Sequence, residues 1–356
     1  MLTILVVLFV FSALILVHEA GHLAAAKKAG VKVEVFSLGF GKRLFGKEIG
    51  GTDYRVSMVP LGGYVKMEGE DPSEISSSET GLYSKPVGAR FWIMASGALT
   101  NYVFAFLLFW VIFMIGVPTV SNEVGEVLKG YPAERSGIKE GDVIVKVGDK
   151  EVSYWDDIVD AIKKNSVSGE AVAFSVIRSG KELTIPITPD ISTVTNVFGQ
   201  KISRPMVGIG PRDKILSVSY GPAGAFYHGG KKLLSLTALT YKGIWLMITG
   251  GMPLKQSVSG PIGIMYFMNQ AARLGIVPLL IITANVSMAL AIFNLLPFPV
   301  LDGGHIMFLL AEKITGKPVS AKVQEYLTNA ALVVLIAFAV FVSWQDVLKF
   351  TPLGGR

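Results

Sequence analysis

The sequence predicts a polytopic α-helical membrane protein with about four transmembrane helices, a membrane-associated β-hairpin region on the cytoplasmic side and one small extracytoplasmic β-rich domain. Three observations carry this. Of the 356 residues, 51% are hydrophobic and 17% charged, where an average soluble domain is about 25% charged. Four apolar runs are long enough for a helix to cross a bilayer core, and they cover Leu2 to Ala26, Phe91 to Val117, Ile276 to Leu296 and Leu327 to Trp344. Between the second and third, a more polar stretch holds short runs with β character.

The first run reads as a retained span rather than a signal peptide, because no basic region precedes it and His18 and Glu19 interrupt it. Lys27, Lys28, Lys32, Lys42 and Arg43 follow it, and Lys85 and Arg90 lead into the second run, so the positive-inside rule assigns this connection to the cytoplasm. The second span then carries the chain outside, the third returns it before Lys313, Lys317 and Lys322, and the fourth leaves the C-terminus outside. Inside the cytoplasmic connection, Thr52, Tyr54, Val56 and Met58 alternate with Asp53, Arg55, Ser57 and Val59 before Pro60 to Gly63 turn the chain into Tyr64 to Met67. That pattern predicts a β-hairpin whose exposed edge over residues 52–59 can take an extended peptide as an added strand.

The outer domain is expected over residues 118–190, with strands at Gly125 to Leu128, Asp142 to Val147, Ala171 to Ile177 and Leu183 to Ile187 and a helix from Asp156 to Lys164. Residues 191–275 read as a linker followed by an amphipathic helix on the outer surface, since Lys231, Lys232 and Lys242 punctuate the apolar stretch from Pro222 to Ile248. Residues 1–117 and 276–356 are then the N-terminal and C-terminal membrane regions. The net charge of +6 is scattered along the chain, which gives no reason to expect a nucleic-acid partner. With no cysteine, disulfides, thiolate metal sites and thiol catalysis are excluded.

Any metal must therefore be held by His, Asp or Glu, and the four histidines are His18, His22, His228 and His305. His18 and His22 lie four residues apart on a predicted helix, hence on one face, where two imidazoles can bind one ion. Glu19 stands beside them as a candidate to accept the proton of a metal-activated water. Ionisable groups within an apolar helix cost about 2.5 to 3.5 kcal/mol each at the bilayer centre, which argues for function. A structural alternative has the imidazoles hydrogen-bonding across a helix interface. A third ligand is expected from the polar cluster Asn294-Leu295-Leu296-Pro297-Phe298-Pro299-Val300-Leu301-Asp302-Gly303-Gly304-His305, where prolines break the helix. Non-helical backbone at membrane depth must be buried in protein or line a wet cavity. Asp302 is the candidate ligand, His305 the alternative, and a helix cap the structural reading of Asp302.

HEAGH in the first span, the central β-rich insert, Gly62 to Met67 in the cytoplasmic connection and NLLPFPVLDGGH after the third span resemble the site-2 protease family of intramembrane metalloproteases, in its bacterial RseP-like branch. Within the insert, the series Tyr131, Pro132, Ala133, Ser136, Gly137, Ile138, Glu140, Gly141 and Asp142 resembles bacterial PDZ domains. The resemblance implies a zinc endopeptidase of the bacterial inner membrane, with its PDZ-like domain on the periplasmic side. It implies Zn2+ on His18, His22 and Asp302, Glu19 as catalytic base and Asn294 in substrate binding. Single-span membrane proteins of the anti-sigma-factor type and signal-peptide remnants are the implied substrates, the bilayer is a partner, and the PDZ-like domain is a candidate peptide binder. A zinc-dependent membrane transporter and a non-catalytic PDZ scaffold are the rival readings. Two departures from the family stand out. Gly97 is followed by Ala98 rather than proline before Asn101, so Asn101 is left out of the site, and there is room for one PDZ-like domain rather than two.

Overall fold

The computed structural model describes residues 2–70, 78–165, 170–196, 198–252 and 258–350. Helix α1 (Leu2–Lys28) leads into strands β1 (Val33–Ile49) and β2 (Thr52–Met67), followed by helix α2 (Val87–Ile115). Next come β3 (Val117–Val120), β4 (Val124–Val127), α3 (Pro132–Arg135), β5 (Val143–Val147), β6 (Lys150–Glu151) and α4 (Trp155–Asn165). Strands β7 (Val172–Arg178), β8 (Lys181–Ile187), β9 (Asp190–Thr195), β10 (Lys201–Met206), β11 (Ile209–Pro211) and β12 (Ile215–Val218) complete the β-rich part. The chain continues through α5 (Pro222–Ile248), α6 (Pro261–Leu274), α7 (Ile276–Asn294), α8 (Asp302–Thr315) and α9 (Ala321–Phe350). It divides into two compact units, one of residues 1–112, 222–242 and 258–356 and the other of residues 113–221 and 243–257.

In the first unit, α1, α2, α7 and α9 are the helices long and apolar enough to cross a membrane. Each of the four predicted runs lies on one of them. The fourth helix starts at Ala321, earlier than its apolar run, because polar first turns carrying Lys322 and Glu325 precede Leu327. Large apolar side chains stay exposed along it, among them Val333, Val340 and Trp344. Such a surface suits lipid rather than water. The first part of α5, expected on a surface, packs along α2 instead: the Tyr102 hydroxyl is 2.9 Å from Thr237 Oγ1, and the Phe226 ring meets Phe106 and Trp110 edge-on. Lys231 and Lys232 remain exposed, so these two lysines are compatible with a helix that packs on another.

Strands β1 and β2 pair antiparallel through the Gly50–Gly51 turn, but repeated register shifts give residues 35–38 two sets of partners, residues 63–66 and residues 53–56. Val56 thus pairs with both Leu38 and Phe45, and Arg55 with both Ser37 and Gly46. Residues 53–56, the middle of the segment predicted to offer the free edge, are covered on both sides. Residues 45–49 and 63–66 each have partners on one side in this ladder. Alternation along residues 52–59 reports two faces but says nothing about neighbours in the sheet.

In the second unit, a four-stranded sheet of order β6-β5-β7-β8 packs with α4 around a core that includes Val124, Ile144, Val147, Ile158, Phe174 and Ile187. Asp142 is buried, and Arg178 donates to it from Nε and Nη2 at 2.7 Å. Burial raises the Asp142 carboxyl, and the Arg178 guanidinium together with the Lys139 N–H, which donates to Oδ2 at 2.9 Å, outweighs that effect and holds it below its ordinary value. Residues 191–218, expected as linker, are largely β: β11 pairs with β4, β12 with β3, and β9 with β10. Strands β9 and β10 are mostly exposed, and their polar residues therefore resemble those of a linker.

Candidate metal centre

One helical turn of α1 brings His18 and His22 together, with their Nε2 atoms 3.2 Å apart. Asp302 arrives from the far end of the chain. After α7, the Phe298 N–H donates to the Leu296 carbonyl and the Leu301 N–H to the Phe298 carbonyl, while Pro297 and Pro299 lack the donors that would continue a helix. This turn leaves Asp302 as the first residue of α8. Its Oδ2 lies 3.3 Å from His18 Nε2 and its Oδ1 3.5 Å from His22 Nε2. Among the described residues, His18, His22 and Asp302 form the group of side chains able to hold a metal ion, with all ligand atoms within 4.8 Å of one another.

The donor set fits zinc, which takes imidazole nitrogen and carboxylate oxygen in tetrahedral sites. Metal–ligand bonds of about 2.0–2.1 Å give a tetrahedron with edges of about 3.3 Å; here the two Nε2 atoms are 3.2 Å apart, while Asp302 presents Oδ2 at 3.3 Å to His18 and its other oxygen, Oδ1, at 3.5 Å to His22. His22 Nδ1 is 2.8 Å from the Ile93 carbonyl on α2. That contact puts the ring proton on Nδ1 and leaves Nε2 its lone pair.

Glu19 lies outside the ligand group, beside it on α1, with its side chain toward β2, where an added Cβ at Gly63 would be 3.7 Å from its Cγ. Asn294, the last residue of α7, holds its carboxamide nitrogen 3.5 Å from His18 Nδ1. His305, one turn beyond Asp302, is outside the ligand group and lines a cavity of about 30 Å³ together with Tyr83, Arg90 and Glu312.

Two glycines let α1 and α2 meet here. A Cβ on Gly21 would strike Ser96 and Thr100, and one on Gly97 would lie 2.7 Å from His18 Cε1 and closer still to His22 Nε2. Sequence reasoning missed what Gly97 does. It also left out Asn101, which is fully buried on α2 with neither Nδ2 nor Oδ1 hydrogen-bonded among the described residues. A carboxamide in the middle of an apolar helix was the available signal.

The family model described as Peptidase family M50 matches residues 6–338. The chain belongs to peptidase family M50. It is an intramembrane metalloprotease of the site-2 type, which decides against the transporter and scaffold readings. A relative from Campylobacter jejuni, named as a zinc metalloprotease, is 33% identical over 97% of this chain and 93% of its own. The regulator of sigma-E protease RseP of Salmonella typhimurium is 29% identical over 92% of this chain and 95% of its own. The solved PDZ domain of the SdrC-like protein from Listeria monocytogenes is 21% identical, covering 27% of this chain and 93% of its own, with a TM-score of 0.22.

Proposed function

We propose that this M50 peptidase holds Zn2+ on His18, His22 and Asp302 and uses Glu19 as its catalytic base to cut transmembrane segments. The observation that carries the reading is the convergence of two imidazoles and one carboxylate at zinc-like spacing, with a second carboxylate beside them. When bound, zinc supplies a Lewis acid that polarises a peptide carbonyl and makes water acidic enough to give up a proton near neutral pH. Glu19 accepts that proton at its carboxylate and delivers it to the departing amide nitrogen. Asn294 binds substrate.

A membrane-spanning helix has its carbonyls hydrogen-bonded internally, so it must unwind and find new backbone partners before hydrolysis. Residues 63–66 are suited to receive it. They have partners on one side, and an added Cβ at Gly63 would be 3.7 Å from Glu19 Cγ, so this edge runs past the base. The substrates are single-span membrane proteins of the anti-sigma-factor type and signal-peptide remnants. The enzyme sits in the bacterial inner membrane with residues 118–190, extended by strands β10 to β12, forming a periplasmic PDZ-like domain, a reading that rests on the Tyr131 to Asp142 motif and the distribution of Lys and Arg. Between α4 and β10–β11 of that unit lies a cavity of about 130 Å³, lined by Trp155, Ile158, Ile162, Met206 and Val207 with Lys163 and Arg204 at hand, which suits an apolar peptide end carrying a carboxylate.

The test is cleavage of a panel of single-span proteins and signal-peptide remnants in proteoliposomes, with and without zinc, beside the Glu19→Gln variant. Zinc-dependent cleavage lost in the variant is expected. Cleavage that persists in Glu19→Gln would remove the proposed mechanism.

A further inference from the structure

Asp302 stands 280 residues beyond His22 in the chain, and its position against the imidazoles depends on where α8 is held. Helix α2 holds both contributors. At Ile93 it accepts from His22 Nδ1 at 2.8 Å. One turn earlier, at Arg90, it grips α8: Nη1 lies 3.0 Å from Glu312 Oε2 and Nη2 lies 2.5 Å from Glu312 Oε1. The guanidinium is itself fixed, donating from Nε to the Lys85 carbonyl at 3.0 Å and sitting over the Tyr83 ring. Both partners are largely buried, with side chains 6% and 16% exposed.

We propose that Arg90 and Glu312 are positioning residues that set where Asp302 stands relative to His18 and His22. A two-pronged guanidinium–carboxylate pair fixes rotation as well as translation. Glu312 is ten residues along α8 from Asp302, about 15 Å of rigid helix, so a slide or twist at one end appears at the other. The nearest contacts among the three side chains span only 3.2–3.5 Å; a shift of about 1 Å is enough to spoil such a site. Net stability does not explain the pair, because a buried ion pair can generally be exchanged for apolar side chains at little cost. Leu309, Ile93 and Met94 already supply an apolar contact between α8 and α2, and that contact alone would allow sliding.

The proposal rests on the zinc-ligand reading, and the experiment separates the two. Zinc affinity is measured by chelator competition on the full-length enzyme in detergent, alongside kcat, KM and thermal unfolding of the metal-free protein. The variants are Arg90→Lys, Glu312→Gln, the apolar pair Arg90→Met with Glu312→Leu, the swap Arg90→Glu with Glu312→Arg, and Asp302→Ala. In the first three, zinc affinity should fall about tenfold, as for a supporting residue behind a metal ligand, and kcat should fall with KM unchanged. The apolar pair should unfold within a few degrees of the parent, and the swap should recover part of the affinity. Unchanged zinc affinity in the apolar pair, or losses that follow metal-free stability from variant to variant, would overturn the proposal while Asp302→Ala still loses metal. Full zinc affinity in Asp302→Ala would overturn the ligand reading and the positioning proposal with it.

Discussion

His18 and His22 reach the candidate metal centre from one unbroken helix, whereas Asp302 reaches it from the first turn of a second helix that follows a loop broken by two prolines. The spacing of the two imidazoles is a property of helix geometry and survives anything that leaves α1 helical. Asp302 has no such guarantee. Its distance to the imidazoles depends on the 295–301 turn, on the packing of α8 and on the Arg90–Glu312 contact. The first contribution is therefore vulnerable at its own residues and where α2 packs against the imidazoles, while the second is vulnerable wherever α8 is held.

The largest effects should come from substitutions that attack the helical contribution directly. His18→Ala and His22→Ala should lose both metal and turnover. Glu19→Gln should retain metal and lose about a thousandfold in turnover, within the range of general acid–base contributions. Metal analysis of the purified variants decides this, because zinc loss in folded Glu19→Gln would make the glutamate a ligand.

On the other side of the comparison, Asp302→Ala should abolish tight binding and His305→Ala should leave it largely intact, since His305 faces a small cavity rather than the imidazoles. Retained metal in Asp302→Ala with loss in His305→Ala would exchange the two roles.

Legibility in the sequence follows the same division. HExxH is local, so residue spacing alone conveyed its geometry. Between Asp302 and His305 no spacing argument could choose, because the choice depends on a turn whose backbone bonds are visible only in the fold. The same holds for residues 52–59, whose alternation was read correctly while the second run of β1 partners along residues 53–56 went unseen. Strands β9 to β12 were taken for linker because polar residues such as Ser192, Thr193, Arg204 and Ser217 interrupt their apolar ones, and the Arg90–Glu312 pair joins residues 222 apart in the sequence. The four spans, by contrast, were legible because apolar length is a local property.

A third prediction asks how far the helical contribution can be disturbed without touching a ligand. Gly97→Val would push side-chain atoms into both imidazoles, and turnover should fall about a hundredfold, as for roughly 1 Å of misplacement. Gly88→Ala on the same helix meets no atom within 4 Å and should behave as the parent. Equal activity in the two variants would show that α1 and α2 can separate without cost to the site.

The smallest effect is expected at Asn294, where the two contributions meet. It ends α7 just before the turn that presents Asp302, yet its carboxamide lies against His18 of α1. At 3.5 Å that contact is at the long limit for a hydrogen bond, so it orients the imidazole weakly and the amide is free to turn toward a substrate backbone. Asn294→Ala should therefore change zinc affinity by less than about threefold, where a residue that firmly supports a metal ligand costs tenfold or more. Its KM for a transmembrane substrate should rise by about fivefold, the size of one neutral hydrogen bond. Reading KM and kcat separately distinguishes the roles, because a group that binds substrate before and during reaction raises KM, whereas a group that holds a ligand lowers kcat. If zinc affinity falls tenfold while KM stays fixed, Asn294 belongs with the supports of His18, and the α7 end would then couple the two contributions directly.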